Sequence, residues 1–218
     1  MKHIKSWIKS PVHLMLLLTA AAVLGMGTLA YFTDVEAAVN TLRFGQVDIE
    51  TNEEVDGLTK KGIGVTASGV SDCYVRIRAD IPTVTYSYED GQGQIQTGQA
   101  VITLPDGTEK KVSEWNKLKE IRLENDEYWE KNSEDGCWYY SGTLSIGETA
   151  LFLEAVTYPG LWDEAEGQLA DPLPDGLTVD MLSIPITSEA VQAANIDVGD
   201  KTGAQAAMAA FAQAAQAQ

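Results

Sequence analysis

The stretch Cys73-Tyr74-Val75-Arg76-Ile77-Arg78-Ala79 decides the fold, because apolar and polar side chains alternate along it with a period of two. That period places successive side chains on opposite faces of an extended chain. The sequence therefore predicts a β-strand over residues 73–79. The alternation resumes after Pro82, from Thr83 to Tyr86, and predicts that the strand continues there.

Further segments of the same kind lie on both sides of this strand and are bounded by turn residues. Strands are predicted at residues 42–49, 94–104, 138–140, 149–157 and 179–187. The turn Pro105-Asp106-Gly107 closes one of them. Many short strands separated by turns predict an all-β fold, an antiparallel β-sandwich of jelly-roll type over residues 31–202.

Three segments interrupt the strand pattern. Residues 116–131 fit a short helical insert or a structured loop equally well, and residues 160–176 are rich in Asp, Glu, Pro and Gly and predict a long surface loop. Residues 203–218 are mostly Ala and Gln, which predicts an Ala-rich C-terminal helix or tail. The apolar stripe of that helix is thin, so we expect it to be frayed.

The first thirty residues have the order of a secretory signal peptide. Three lysines precede an apolar run, and small residues at Thr28 and Ala30 end it. Signal cleavage is therefore expected between Ala30 and Tyr31. The alternative is an uncleaved membrane anchor, because the run approaches the length of about 20 residues that spans a bilayer.

The exported part is strongly acidic. The chain has a formal net charge of −17, and removal of the three lysines in the signal leaves −20. Such a surface repels nucleic acid, so nucleic-acid partners are not expected. The acids Asp163, Glu164 and Glu166 could hold calcium, but their spacing matches no EF-hand loop, and a solvated acidic loop is the preferred interpretation.

The residues that most catalytic sites need are missing from the exported part. The two histidines, His3 and His13, both lie in the signal segment. A cleaved product would therefore lack His-based zinc sites and Ser–His or Cys–His nucleophile pairs. We predict that the protein is not an enzyme and has no cofactor and no metal. Cys73 and Cys137 both begin predicted strands, and in an oxidising exterior they predict a disulfide, with two buried thiols as the alternative.

Several stretches resemble the TasA/camelysin family of secreted bacterial proteins. The most specific is Gly27-Thr28-Leu29-Ala30-Tyr31-Phe32-Thr33-Asp34, followed by Asn40 and residues 44–49. Residues 138–156, 184–193 and 206–211 are similar to later shared stretches. The chain departs from the family pattern at Ile146, where a proline is expected, and at Met208, where a tryptophan is expected.

The resemblance implies a signal peptide cut by a SipW-type peptidase and a jelly-roll subunit of extracellular fibres in a biofilm matrix or on the cell surface. In such fibres the N-terminal strand of one copy completes the sheet of its neighbour, so the partners are the protein itself and other matrix proteins. Residues 31–49 would be that strand-forming arm, with Leu42, Phe44, Val47 and Ile49 as its assembly strand.

Three alternatives remain open at this stage. One is an accessory protein that anchors or nucleates fibres. Another is a monomeric surface binding module that uses Trp138-Tyr139-Tyr140 as a contact patch, although core packing is the preferred role of that run. The third is a camelysin-type metalloprotease, which the absence of histidine from the mature chain disfavours.

Overall fold

The computed structural model describes residues 47–56, 58–163 and 168–216. In chain order its elements are β1 (Ile49–Asp56), β2 (Thr59–Ala67), β3 (Cys73–Ala79), β4 (Tyr86–Glu89), β5 (Ile95–Gly98), β6 (Val101–Thr103), β7 (Glu109–Lys111), α1 (Val112–Trp115), β8 (Glu120–Arg122), β9 (Tyr128–Lys131), β10 (Trp138–Tyr140), β11 (Thr149–Thr157), β12 (Trp162–Asp163), β13 (Gln168–Leu169), β14 (Ile186–Gln192) and α2 (Ala204–Gln216). Short 3-10 turns lie at Glu124–Asp126 and Val179–Leu182.

Two five-stranded antiparallel sheets form the body of the fold. We call the sheet of order β1-β2-β11-β6-β7 the first sheet, and the sheet of order β14-β3-β10-β9-β8 the second sheet. The chain passes from one sheet to the other repeatedly, and large side chains of the two sheets meet between them. The predicted antiparallel β-sandwich with a short C-terminal helix is confirmed.

The strongest period-two segments are strands with the predicted bounds. They are β3, β10 and β11. In β3 the burial alternates as the pattern requires, with Val75 and Ile77 fully buried and Arg78 exposed. The predicted turn at Pro105-Asp106-Gly107 is also confirmed, since it joins β6 to β7 and the Gly107 amide donates to the carbonyl of Leu104 at 2.9 Å.

Three other predictions need correction. Residues 83–85 are irregular and only Tyr86 belongs to a strand. Residues 94–104 divide into β5 and β6, which belong to different sheets. Residues 179–187 begin as a 3-10 turn, and the strand there, β14, starts at Ile186. Their apolar residues gave a pattern too short to fix where each strand begins.

The segment 116–131 contains the edge strand β8 and its neighbour β9, in place of the predicted helical insert or structured loop. Ile121 and Trp129 face each other in their register and are both buried. Charged side chains on the solvent face hid this alternation. The one-turn helix α1 ends immediately before this segment.

Three tryptophans and Phe152 form the centre of the core. The rings of Trp115 and Trp138 stack at 5.0 Å, and Phe152 meets Trp129 edge-on at 5.3 Å. The Trp129 indole N–H also donates to the carbonyl of Leu151 at 2.9 Å, which links the two sheets. Core packing of Trp138-Tyr139-Tyr140 is confirmed, since all three are at most 3% exposed. The contact-patch alternative is therefore wrong.

The C-terminal helix packs on the second sheet instead of fraying. Ala207 and Ala210 are fully buried and Phe211 is 6% exposed, in a cluster with Tyr139 and Val191. Small alanine side chains let the helix backbone approach the sheet closely, so a thin apolar stripe is enough for docking. The expectation of a frayed helix is wrong.

The acidic segment 160–176 is less irregular than predicted. The short strands β12 and β13 pair with each other, and Leu161 is fully buried. The amide of Ala170 donates to the carbonyl of Leu161 at 3.0 Å. The described part of this loop is therefore fastened to the core.

Candidate functional site

The predicted assembly strand meets the described fold at Val47. Leu42 and Phe44 lie outside the described residues. Val47 and Ile49 are 1% and 7% exposed, and Ile49 begins β1. The prediction is therefore wrong for Val47 and Ile49, because both fill the core of their own domain.

The apolar residues of the segment 42–49 change from even-numbered to odd-numbered positions. Leu42 and Phe44 occupy even positions, whereas Val47 and Ile49 occupy odd ones, with Gly45 between the pairs. In one regular strand the two pairs would point to opposite faces of the sheet. A single regular strand therefore cannot bury all four of these side chains on one face.

The start of the described chain is fixed at one end of the sandwich. The carbonyl of Asp48 accepts hydrogen bonds from the amides of Ser68, at 2.8 Å, and Gly69, at 2.9 Å. We call this end, where β1 begins and β2 finishes, the N-terminal end.

Two edge strands lie beside each other on one flank of the sandwich. β1 is an outer strand of the first sheet and β14 is an outer strand of the second. The Thr51 and Ser188 hydroxyls hydrogen-bond between them, and Ser188 is fully buried. We call this side of the molecule the β1–β14 flank.

The outer edge of β14 offers backbone groups for pairing. Directly after β14, the amide of Ala193 donates to the carbonyl of Asp72 at 2.8 Å. With the register of β14 and β3, this bond shows that the odd-numbered residues of β14 point their backbone N–H and C=O groups towards β3. Hydrogen-bonding directions alternate along an antiparallel strand. No strand of the described residues pairs with the opposite edge. The residues whose N–H and C=O point to that edge are Ile186, Ser188 and Ala190.

The two cysteines are free thiols, which corrects the predicted disulfide. Trp138 lies opposite Ile77 in the antiparallel pair of β10 and β3, so Cys137 is level with the far end of β3 while Cys73 begins it. Five residues separate the two levels, about 16 Å at about 3.3 Å per residue. A disulfide needs Cα atoms within about 7 Å.

A charged cluster that the sequence analysis missed holds the C-terminal helix on the second sheet. The Arg76 guanidinium donates to the Glu189 carboxylate at 2.6 Å and to the Tyr139 hydroxyl at 2.8 Å. Tyr139 in turn donates to Asp135 at 2.5 Å. The guanidinium also lies 4.5 Å from the centre of the Phe211 ring. No spacing in the sequence joins Arg76 to these partners, because Glu189, Phe211 and the Asp135–Tyr139 pair come from three other segments of the chain.

The surroundings of this cluster raise the pKa values of Arg76 and of the nearby Cys137 thiol. Burial alone would lower the pKa of Arg76, but hydrogen bonds to Tyr139 and Glu189 raise it. Burial, followed by the charge of Asp135, raises the pKa of the Cys137 thiol to about 11. Cys137 lines a cavity of about 250 Å³ beside Arg76 and Glu189. At neutral pH its thiol is protonated and therefore a weak nucleophile.

Several predicted site residues lie outside the described residues. They include the cleavage pair Ala30 and Tyr31 and the acids Glu164 and Glu166. Within the ranges that the structure describes, no group of three or more His, Cys, Asp or Glu side chains is arranged to hold a metal ion. The thiols of Cys73 and Cys137 are likewise too far apart to share one.

Neither does any helix within the described ranges have the length and apolar character needed to cross a bilayer. Comparison with known proteins gives no further assignment: no family model, no curated protein and no solved structure matches the chain.

Proposed function

We propose that this protein is an exported structural subunit that assembles into extracellular fibres by strand donation. Residues 31–46 are the donated arm, and the β1–β14 flank of the next copy is the acceptor. A SipW-type peptidase, cutting between Ala30 and Tyr31, releases the arm. The proposal includes no catalytic activity, and other matrix proteins are further partners.

The β1–β14 flank is the observation that carries the proposal. An open edge displays unpaired N–H and C=O groups and is a template for another strand. Ile186, Ser188 and Ala190 point backbone groups outward that no strand within residues 47–216 pairs with, while their side chains are buried between the sheets. An added strand would therefore place alternate side chains over a core that is already apolar.

The arm has the side chains that such an edge accepts. Leu42 and Phe44 lie two residues apart, so both would face the core if the arm paired with β14. Burial of each contributes about 1.5–3 kcal/mol. Each backbone hydrogen bond adds about 0.5–1.5 kcal/mol. Association itself costs about 4–15 kcal/mol, so the arm alone gives only modest affinity.

The alternatives have less support. The surface binding module loses its contact patch, because Trp138, Tyr139 and Tyr140 are buried. An anchoring protein would need the same free arm and the same acceptor flank. It would differ from a fibre subunit only in its position in the fibre. Self-assembly uses both features in one molecule and is therefore preferred.

The test compares residues 31–218 with residues 47–218, because the shorter chain keeps Val47 and Ile49 in the core. Both are incubated and examined by negative-stain electron microscopy, and their folding is compared by circular dichroism. We expect fibres only from the longer chain. In the full-length arm, Leu42→Asp with Phe44→Asp should also abolish fibres, whereas Thr41→Asp is the matched control for added charge. Equal fibres from both chains would refute strand donation.

A further inference from the structure

The exposed aliphatic side chains of this domain are confined to its two ends. Within the described ranges the large hydrophobic residues with exposed side chains are Val70, Ile146, Ile95 and Met181, at 70%, 64%, 71% and 42%. None of them belongs to the two five-stranded sheets. A single exposed aliphatic is ordinary, but a distribution restricted to opposite ends suggests contacts along the long axis of the sandwich.

At the N-terminal end, two loops lie side by side and each carries one of these residues. Ala67 bonds to the second loop through its N–H, which donates to Glu148 at 3.0 Å, and through its C=O, which accepts from Gly147 at 2.7 Å. At their other side the loops are joined by the pair Cys73 and Leu144. Residues 68–71 and 145–147 therefore form one surface, which we call the loop patch. Val70 and Ile146 are exposed within it.

At the opposite end, Ile95 lies on the β4–β5 hairpin, residues 86–98. The hairpin is attached where β11 has ended, since the Tyr86 hydroxyl donates to the carbonyl of Pro159 at 2.8 Å. Residues 91–97 are all exposed. A two-stranded hairpin is at best marginally stable by itself, so its tip gains from a partner.

Met181 lies at the same end as the hairpin. The carbonyl of the next residue, Leu182, accepts a hydrogen bond from the Tyr158 hydroxyl at 2.9 Å. Tyr158 directly precedes Pro159, so the turn that carries Met181 and the base of the hairpin are held by the same short segment. The hairpin and Met181 therefore mark the hairpin end of the domain.

Both surfaces carry little charge in a chain of net charge −17. The carboxylates that reach them are already hydrogen-bonded to backbone amides: Glu148 accepts from Ser145 at 2.8 Å, and Asp90 accepts from Gln92 and Gln94 at 2.9 Å. The loop patch consists of Ser68-Gly69-Val70-Ser71 and Ser145-Ile146-Gly147, and the hairpin tip consists of residues 91–98, also without a charged side chain. Copies of an acidic protein repel each other wherever their acids meet. Contacts between copies are therefore most favourable where acids are absent, and interface cores are in general depleted of charge.

We propose that the loop patch of one copy docks against the hairpin end of the next copy, as a second contact along the fibre. This rests on the proposed strand-donating function. The arm is attached at Val47, beside Ser68 and Gly69, so a copy that receives the arm is brought to the loop patch. The two surfaces differ, which makes the contact heterologous, and a heterologous contact that does not close into a ring generates a filament.

This second contact also adds affinity to the joint between two copies. Strand donation alone gives a modest affinity after the cost of association. A second contact between the same two copies is effectively intramolecular once the arm is bound, so it strengthens the joint out of proportion to its own affinity. The loop patch and the hairpin end are thus expected to set the stability of the fibre and not its ability to begin.

The first test places charge on each surface separately. The variants are Val70→Glu with Ile146→Glu, and Ile95→Glu alone, while Gln213→Glu on the exposed side of α2 is the control. Each variant should melt like the parent, because the altered side chains are exposed. The critical concentration for polymerisation, measured by pelleting, should rise about tenfold or more in the first two, since an interface penalises buried unpaired charge. An unchanged value in both would overturn the proposal.

The second test asks whether the contact is heterologous. In a Cys137→Ser background, one preparation carries Ile146→Cys and another carries Ile95→Cys. A short bismaleimide should cross-link adjacent copies in the mixed fibres and in neither preparation alone. Cross-linking of a single preparation to itself would overturn the head-to-tail arrangement.

The two proposals fail in distinguishable ways. If strand donation is wrong, residues 31–218 and 47–218 behave alike. If only the end-to-end contact is wrong, fibres still depend on the arm but are indifferent to charge at Val70, Ile146 and Ile95.

Discussion

Phe211→Ala should show that the C-terminal helix is part of the folded domain. Phe211 is the largest side chain that α2 buries, and it is 6% exposed. Its ring meets Tyr139 edge-on at 5.6 Å and lies 4.5 Å from the Arg76 guanidinium carbon. The other fully buried side chains of the helix are alanines, which are too small to fill the space that truncation leaves.

The magnitude follows from these contacts. Truncation of a buried phenylalanine costs about 3–5 kcal/mol, which already includes the loss of its aromatic partner. The cation–π contact with Arg76 adds about 0.5–2 kcal/mol, depending on how far the guanidinium is desolvated. Arg76 is half-buried, so we expect a total of about 4–6 kcal/mol. A frayed helix would lose less than about 0.5 kcal/mol.

The assay is urea unfolding of residues 47–218, followed by tryptophan fluorescence. Trp129 and Trp138 report on the core between the sheets, so the measured loss describes the whole domain and not the helix alone. Gln213→Ala, exposed on the same helix, is the control and should leave the midpoint unchanged. A loss of less than 1 kcal/mol for Phe211→Ala would refute the packing of α2 described above.

Three further predictions concern the cysteines and a strand crossing. Alkylation of the denatured, unreduced protein should label both Cys73 and Cys137, and a mass two units lower with no label would instead indicate the disulfide. Burial raises the pKa of each thiol from the ordinary value of about 9 to about 11, so the folded state binds these protons more tightly. Their contribution to stability is complete below pH 9 and is lost as the pH rises towards 11. The urea midpoint should therefore fall over that window, and by less in the double variant Cys73→Ala with Cys137→Ala. Gly64→Ala should cost about 1–3 kcal/mol or more, because its Cβ would lie 2.7 Å from the carbonyl oxygen of Ala150 on the neighbouring strand. Gly91→Ala, where nothing lies within 4 Å, is the matched control and should change stability by less than about 0.5 kcal/mol in the same urea assay.

Strands with one buried and one solvated face could be predicted from the sequence. In β3 every second side chain is apolar, and the structure gives the predicted bounds. β1 and β2 were not predicted as whole strands, since Glu50, Glu53 and Glu54 alternate with Thr and Asn in β1, and Gly62 and Gly64 interrupt β2. The pairing of β2 with β11, and of β1 with β2, supplies the order that their own composition lacks.

The sequence could not predict how the two cysteines are arranged. Cys73 begins β3 and Cys137 directly precedes β10, and these two strands are neighbours in the second sheet. In an antiparallel pair, the start of one strand is level with the end of the other. The disulfide was predicted because both cysteines lie at strand starts. In neighbouring antiparallel strands, that same placement keeps the two thiols apart.

The acceptor flank required knowledge of which strands are sheet edges, and that is a long-range property. Thr51 and Ser188 are 137 residues apart, and only the order of the strands brings them together. The change of apolar phase between Phe44 and Val47, by contrast, can be seen in the sequence. In our proposal, the boundary between the donated arm and the domain lies at this change of phase.

The measurement that tests strand donation most directly uses the arm as a separate molecule. A synthetic peptide of residues 31–46 is added to residues 47–218, and binding is measured by fluorescence anisotropy of a label on the peptide. We predict saturable binding that is lost with Leu42→Asp and Phe44→Asp in the peptide, and we predict that the same peptide stops polymerisation of residues 31–218. No binding, together with unimpeded fibre growth in excess peptide, would contradict strand donation at the β1–β14 flank.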